Sequence, residues 1–324
     1  MKISILINHY NEGFEILSNL LKSIELQVGI DFENDIEVLI CSDGFDNVLS
    51  EDDLNDIQFP IKYFAKEHSG VCTTRNVLLD SANGDYVMFC DSDDMFIRID
   101  ALYNLIPICC DNYDVVVSSF YEQAKNGDIV QRDYDRYFLH GKLFNVKYLK
   151  NNGIRFNEQF KYSGDPWFIN LAMQLSSKCR YVRNPFYIWR NNTNSITRKN
   201  RLHYYEEYDL HIKCDMLLIE EYLKRNRLRL AQYTATFLFI TAYFDMTSSK
   251  WYEMTKESQN RIEKYFKEVY NKYSYLFNDT DDDTINKLYI KRYGFAVMHE
   301  SPEINITFKT WLSQFENKEV IVDA

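Results

Sequence analysis

Apolar positions along the first hundred residues switch between two spacings. Residues 2–8 (KISILIN) form a short β-branched run, and residues 14–26 carry Ile16, Leu17, Leu20, Leu21 and Ile24 at the spacing of one helix face. Residues 36–41 (IEVLIC) return to an apolar run, so the opening reads as strand, helix, strand. The same alternation predicts a strand at 61–65, a helix at 73–82 and a buried strand at 85–90 (DYVMFC) that ends in Asp91, Ser92, Asp93 and Asp94. Strands joined through crossover helices imply a mostly parallel α/β sheet covered on both faces, and such sheets bind ligands beyond the carboxyl ends of their strands. Three of those ends carry polar clusters here, at residues 8–12, 42–44 and 91–94.

From about residue 115 the pattern loosens, with strands expected at 115–120 and 186–190 and helices at 148–155 and 165–176. Past about residue 200 strand signals fade. Helices are expected at 204–229, 233–246 and 258–277, the last with Ile262, Tyr265, Phe266, Val269, Tyr270 and Tyr273 along one side. The acidic run 279–283 reads as a solvated turn. No internal repeat or low-complexity linker interrupts the chain. The expected division is a sheet domain over 1–200 and a C-terminal helical domain over 201–324, serving acceptor binding, a homodimer surface or packing.

Composition narrows the classes. The chain has 324 residues, 46% of them apolar and 16% aromatic, which is a globular composition. A formal charge of -11 repels polyanions and argues against nucleic acid as a partner. One local exception is the basic segment Lys224, Arg225, Asn226, Arg227, Leu228, Arg229, read as a helix face or a peripheral contact with a membrane surface. The seven cysteines are odd in number and include no C-x-x-C pair, so neither disulfides nor a zinc site of the usual spacing are expected. No run reaches the ~18 apolar residues of a spanning helix, and the start is broken by polar residues too early for a signal peptide. A soluble, cytoplasmic protein is the expectation.

The strongest chemical signal is the acidic cluster after the fourth strand. Carboxylates at i and i+2 on an extended chain project to one side, where they can hold a hard divalent cation and a diphosphate bridging it. The plainer alternative is an acidic turn in which Asp94 caps a following helix. Context decides between them. The segments ISILINHYNE (3–12), LICSDG (39–44), HSGVCTTRN (68–76) and GDYVMFCDSDD (84–94), followed by GKLF (141–144), NNGIRFNEQFKYSGDPWF (152–168) and YIWRNNTNSITR (187–198), together resemble the family 2 glycosyltransferases of the GT-A fold. The resemblance covers roughly residues 1–200, and it lies in the order and spacing of motifs that are individually weak.

Residue by residue, the resemblance implies that Tyr10 lies against the nucleotide base, where an aromatic face can stack. It implies that Asp43 accepts a hydrogen bond from the base, which suits uracil, and that Arg75 and Asn76 face the nucleotide. Asp91 and Asp93 are the Asp-x-Asp pair, with Asp93 on the metal and Asp91 on ribose or metal-bound water, and Ser92 between them in the same nucleotide site. Asp165 aligns with the catalytic base of an inverting transfer, which removes the acceptor hydroxyl's proton as its oxygen attacks the anomeric carbon. Arg190, Ser195, Thr197 and Arg198 belong to a loop near the diphosphate, and Lys142 is a candidate for the acceptor side.

Each assignment has a structural counterpart: an interfacial tyrosine, a turn aspartate, a surface arginine, a solvated loop, and for Asp165-Pro166 a helix start. Two departures stand out. Gly164 replaces the glutamate that usually precedes the base, and Asn8 and His9 stand where the family often has proline and threonine. A lone histidine is by default a hydrogen-bonded structural residue, so His9, His68, His140, His211 and His299 receive no role. His203, just past the loop, is kept as a candidate additional metal ligand.

The resulting expectation is an inverting glycosyltransferase that uses Mn2+ or Mg2+ and a nucleotide-sugar donor, most simply a UDP-sugar. Its acceptor would be a hydroxyl group of a cell-envelope or surface glycan, which makes polysaccharide biosynthesis its setting. Alternatives are glycosylation of a protein or a modified DNA base, and an inactive nucleotide-sugar-binding protein of the same fold. A nucleotidyltransferase is disfavoured because no glycine-rich loop follows the first strand, where Gly13 stands alone.

Overall fold

The computed structural model describes residues 1–46, 48–133, 135, 137–160, 164–192, 208–277, 287 and 306–315. Its contacts divide the chain into two compact units, Met1–Ser195 and Ile196–Ala324.

The first unit runs β1 (Ile3–His9), α1 (Phe14–Glu25), β2 (Ile36–Asp43), α2 (Glu51–Asn55), β3 (Ile61–Lys66), α3 (Val71–Ser81), β4 (Tyr86–Asp91), β5 (Met95–Phe96), α4 (Ala101–Cys110), β6 (Val115–Ser118), β7 (Phe120–Gln123), β8 (Ile129–Arg132), β9 (Lys142–Asn145), α5 (Val146–Asn151), α6 (Gly164–Gln174), β10 (Cys179–Val182) and β11 (Tyr187–Trp189). Seven strands form the main sheet in the order β10-β6-β9-β4-β1-β2-β3. All neighbours are parallel except β9, which runs antiparallel to both β4 and β6. A second sheet has the order β5-β11-β7-β8.

The physical basis is the one the spacing predicts. Ile3, Ile5 and Ile7 of β1 and Val38 and Ile40 of β2 share a core with Leu17, Leu20, Leu21 and Ile24, the buried stripe of α1. A strand buried on both faces favours β-branched residues and needs helices to cover it.

Three departures from the expected elements have local causes. The apolar run expected as one strand at 115–120 is two strands in different sheets, and the chain crosses between them at the buried Ser119, whose amide donates to the Val182 carbonyl at 2.9 Å. The helix expected at 148–155 begins earlier, because the Asn145 side chain caps the Tyr148 amide, and it ends at Asn151 ahead of Gly153 at φ 58°. Helix α4 contains Pro107, which hides it from a spacing argument.

The second unit contains α7 (Tyr208–Lys224), α8 (Leu228–Met246), α9 (Ser249–Glu253), α10 (Lys256–Tyr273) and α11 (Phe308–Leu312). Its centre is aromatic: Phe239 and Trp311 both pack on Phe266, with ring centroids 5.8 and 5.3 Å away. The helix expected to run to residue 229 stops at Lys224, and Asn226 turns the chain at φ 57°. Lys224, Arg227, Leu228 and Arg229 are exposed at the resulting hairpin tip. The expected turn at 279–283 lies outside the described residues. Among those described, no helix is long and apolar enough to cross a membrane.

Candidate active site

The strand register brings the three polar clusters together at one edge of the main sheet. Asn8 lies opposite Asp91 and His9 opposite Ser42, while Asp43 ends β2 beside Lys66. His9 is buried and structural, with Nδ1 2.9 Å from Ser42 Oγ and Nε2 2.8 Å from the Glu12 carbonyl. It shapes the first loop in place of the family's proline and threonine.

Asp43 organises the entry to α3. Its carboxylate accepts the Ser69 and Gly70 amides, each at 2.9 Å, and the Lys66 ammonium. Burial opposes ionisation, but these donors outweigh it and hold the carboxyl below its usual value. Gly70, at φ 94°, adopts the left-handed backbone that starts the helix. One turn later stands Arg75, only 5% exposed. Its guanidinium donates to Asp91 Oδ1 at 2.9 Å, Asp165 Oδ1 at 2.5 Å and Asn8 Oδ1 at 3.3 Å, and lies 5.5 Å above the Phe156 ring centroid. A single buried cation thus ties together the ends of β1 and β4 and the start of α6.

Asp165 is positioned through aromatic packing one turn along its helix. Phe168 stacks on Phe156 at 4.2 Å and meets Phe89 and Phe144 edge-on. Gly164 is explained by its neighbour, since a Cβ there would lie 2.2 Å from Cys72 Sγ. A glutamate cannot occupy the position while that thiol fills the space. Burial raises the Asp165 carboxyl above its usual value, Arg75 pulls it down, and the Asp91 charge adds to the rise. Asp91 is held low because Arg75 outweighs its burial.

Asp94 does not cap a helix. It is fully buried, accepting the Tyr187 hydroxyl at 2.7 Å and the Arg190 amide at 2.8 Å. Asp93 accepts Asn192 Nδ2 at 2.9 Å and is pushed up to about 6 by burial and by Asp91. Three neighbouring carboxylates, of which only Asp91 is paired with the Arg75 guanidinium, fit a divalent cation, which would relieve their repulsion through oxygen ligands. Asp91, Asp94 and His140 each offer a ligand atom, all within 4.8 Å of one another.

The other residues singled out from sequence scatter. Tyr10 is half-exposed and stacks on His68 with centroids 4.8 Å apart. Asn76 faces inward: its amide donates to the Phe156 carbonyl and to Glu158 and accepts the Phe156 amide, so it braces the segment that carries Phe156. Ser92 is buried, and Arg190 meets the acidic turn through its main chain. Lys142 is completely buried, donates to the Phe138 carbonyl at 2.5 Å and is pulled down to about 8 by burial. Ser195, Thr197, Arg198 and His203 lie outside the described residues. Sequence reasoning missed His140, which reaches the acidic turn because β9 pairs antiparallel with β4, and Tyr187 and Asn192, which reach it through β11 of the second sheet.

A parallel sheet with carboxylates gathered beyond its strand ends is an architecture that binds ligands at those ends. The chain belongs to glycosyl transferase family 2, whose sequence model matches residues 4–171, just over half its length. Its fold is the GT-A fold of that family. The solved structure of S. aureus TarS 1-349 in complex with UDP-GlcNAc superposes with a TM-score of 0.66 at 18% identity, covering 84% of this chain and 82% of that one. Among curated proteins, the Streptococcus pneumoniae glycosyltransferase GlyA is 24% identical over 61% of this chain, which spans only 32% of that protein. A Campylobacter jejuni GalNAc(5)-diNAcBac-PP-undecaprenol beta-1,3-glucosyltransferase is 26% identical over 58% of this chain and 64% of its own length. The Borreliella burgdorferi cholesterol galactosyltransferase is 32% identical over 37% of this chain and 33% of its own length.

Proposed function

We propose that this chain transfers a sugar from a UDP-sugar to a hydroxyl of a cell-envelope or surface glycan, with inversion, using Mn2+ or Mg2+ at the acidic turn. One observation carries the reading. Arg75 joins Asp91, at the end of the strand that leads to the donor site, to Asp165, which stands 74 positions further along the chain and is held by a separate aromatic cluster. Donor site and base are therefore parts of one constellation. The donor assignment draws on the fold shared with a UDP-GlcNAc-bound protein, on the half-exposed Tyr10 just past β1 and on Asp43 at the end of β2. The acceptor assignment draws on the undecaprenol-linked saccharide in the name of the Campylobacter relative.

In this mechanism Asp91 and Asp93 would hold the cation, and the chemistry it would supply is stabilisation of negative charge on the leaving nucleotide. Arg75 keeps Asp165 ionised and engages its Oδ1, leaving Oδ2 for the acceptor's proton. Partial burial of Asp165 raises its basicity, which favours proton removal. The exposed cations and Leu228 at the α7–α8 tip suit a peripheral contact with an anionic membrane.

Calorimetry of UDP binding with and without Mn2+, combined with a transfer assay, tests this reading. Binding should require Mn2+ and vanish in Asp93→Ala. Asp165→Asn should keep UDP affinity while turnover falls by about 10²–10⁴. Wild-type turnover in Asp165→Asn would overturn the mechanism.

A further inference from the structure

His140 has no role in the mechanism above, yet its surroundings are specialised. It precedes Gly141, whose left-handed backbone (φ 66°) passes so close to the Ser118 carbonyl that a Cβ would lie 3.0 Å from it. That turn delivers the imidazole into an aromatic wall. Phe120, Phe138, Tyr187 and Trp189 lie with ring centroids 5.4, 5.8, 5.7 and 5.0 Å from it. The residue is 5% exposed.

Neither ring nitrogen makes a hydrogen bond among the described residues. Nδ1 points toward Asp94 and stops 3.6 Å from Oδ2, too far for a hydrogen bond. Asp94 meanwhile accepts from Tyr187 and Arg190, and the nearby Lys142 ammonium is taken by the Phe138 carbonyl. Leaving a buried donor or acceptor unpaired costs about 1–3 kcal/mol, and native structures rarely accept that without an ion or water to satisfy the group. An ion fits better here. A neutral imidazole offers a cation the lone pair of one ring nitrogen. One atom each of Asp91, Asp94 and His140 lies within 4.8 Å of the others, close to the roughly 4.2 Å that separates opposite ligands around one small cation. The aromatic wall fixes the ring plane, as partners around a metal-bound imidazole usually do.

We propose that His140 is a ligand of the divalent cation through Nδ1, together with Asp91 and Asp94, so that the centre is a mixed nitrogen–oxygen site selecting a transition ion such as Mn2+ over Mg2+. The proposal rests on the reading that a divalent cation binds at the acidic turn. It adds a donor that the Asp-x-Asp pattern does not contain, and it extends the seat inward from Asp93.

Pulsed electron paramagnetic resonance of the full chain loaded with Mn2+ alone tests it without reference to turnover. The wild type should show nitrogen coupling to the ion. His140→Gln should lose that coupling and bind Mn2+ about tenfold or more weakly, with Mg2+ affinity little changed. His203→Gln should retain the coupling, and this variant together with the wild type decides the matter if His140→Gln does not fold. Mn2+ bound without nitrogen coupling, or coupling that survives His140→Gln or disappears in His203→Gln, overturns the proposal. If binding is then still lost in Asp93→Ala, the functional reading stands without it. Absence of Mn2+ binding even with UDP present overturns both.

Discussion

The two ends of the main sheet bury carboxylates in opposite ways. Near the start of β2, Glu37 is 8% exposed and accepts Ser4 Oγ at 2.6 Å, the Asn83 and Gly84 amides at 2.5 and 3.0 Å, and Lys62 Nζ at 2.9 Å. Burial alone would raise its carboxyl, but these donors bring it down to about 2. At the other end, beyond β4, burial and mutual repulsion raise Asp93 to about 6 and push Asp94 well above its usual value. Burial penalises charge at both ends, and the supply of donors decides the outcome. The Glu37 end is complete without a ligand. The Asp91–Asp94 end holds more negative charge than its protein partners offset, which is the state a cation or a substrate can relieve.

Removing the one large cation at the active end should have the largest effect on stability. Arg75→Met leaves the half-buried Asp91 and Asp165 without their shared partner, and a loss of about 2 kcal/mol or more is expected in urea denaturation at pH 7. The two carboxyls would then protonate more readily in the folded state, so the deficit should shrink as pH is lowered toward 5. An unchanged midpoint would show that the carboxylates do not depend on Arg75. Glu37→Gln should cost about 2 kcal/mol at pH 7, because it removes a charged acceptor from several donors. The sign of its pH dependence is fixed. A folded pKa of about 2, below the ordinary 4.5, contributes stability above pH 4.5 that is lost as pH falls through 2. The gap between wild type and variant should therefore close over that window. A gap that stays constant with pH would mean the charge itself contributes nothing.

These two ends were not equally legible in the sequence. The alternation of strand and helix through β4 follows from spacing alone, and the acidic turn is conspicuous because four polar residues end an apolar run. Glu37 gave no signal, since a single acidic residue inside IEVLIC looks like an exposed strand position, and its donors come from residues 4, 62, 83 and 84. His140 was equally hidden. Its approach to Asp94 depends on β9 pairing antiparallel with β4 in the main sheet, and no local periodicity encodes a contact across 46 residues. The motif order did point to Asp165 and Arg75 separately, but not to the ion pair between them. That pair depends on Phe168 locking α6 against Phe156, a packing event that only the assembled core specifies.

The smallest effect belongs to Gly164, and it asks whether space or charge governs the approach to Asp165. Gly164→Ala adds one methyl whose carbon would sit 2.2 Å from Cys72 Sγ but 3.9 Å from Cys72 Cβ. The clash is thus with the sulfur alone. Overpacking of this size costs about 1 kcal/mol or somewhat more, although alanine is the better helix former. Cys72→Ala removes the sulfur and leaves an ordinary contact, so the double variant should be more stable than the sum of the two single changes allows. A double-mutant cycle by urea denaturation measures that coupling directly. Strict additivity would mean that the thiol does not exclude a side chain at this position. With coupling present, Cys72→Ala becomes the background in which Gly164→Glu can be accommodated, placing a further carboxylate beside Asp165 at the end of the sheet that already carries the unbalanced charge.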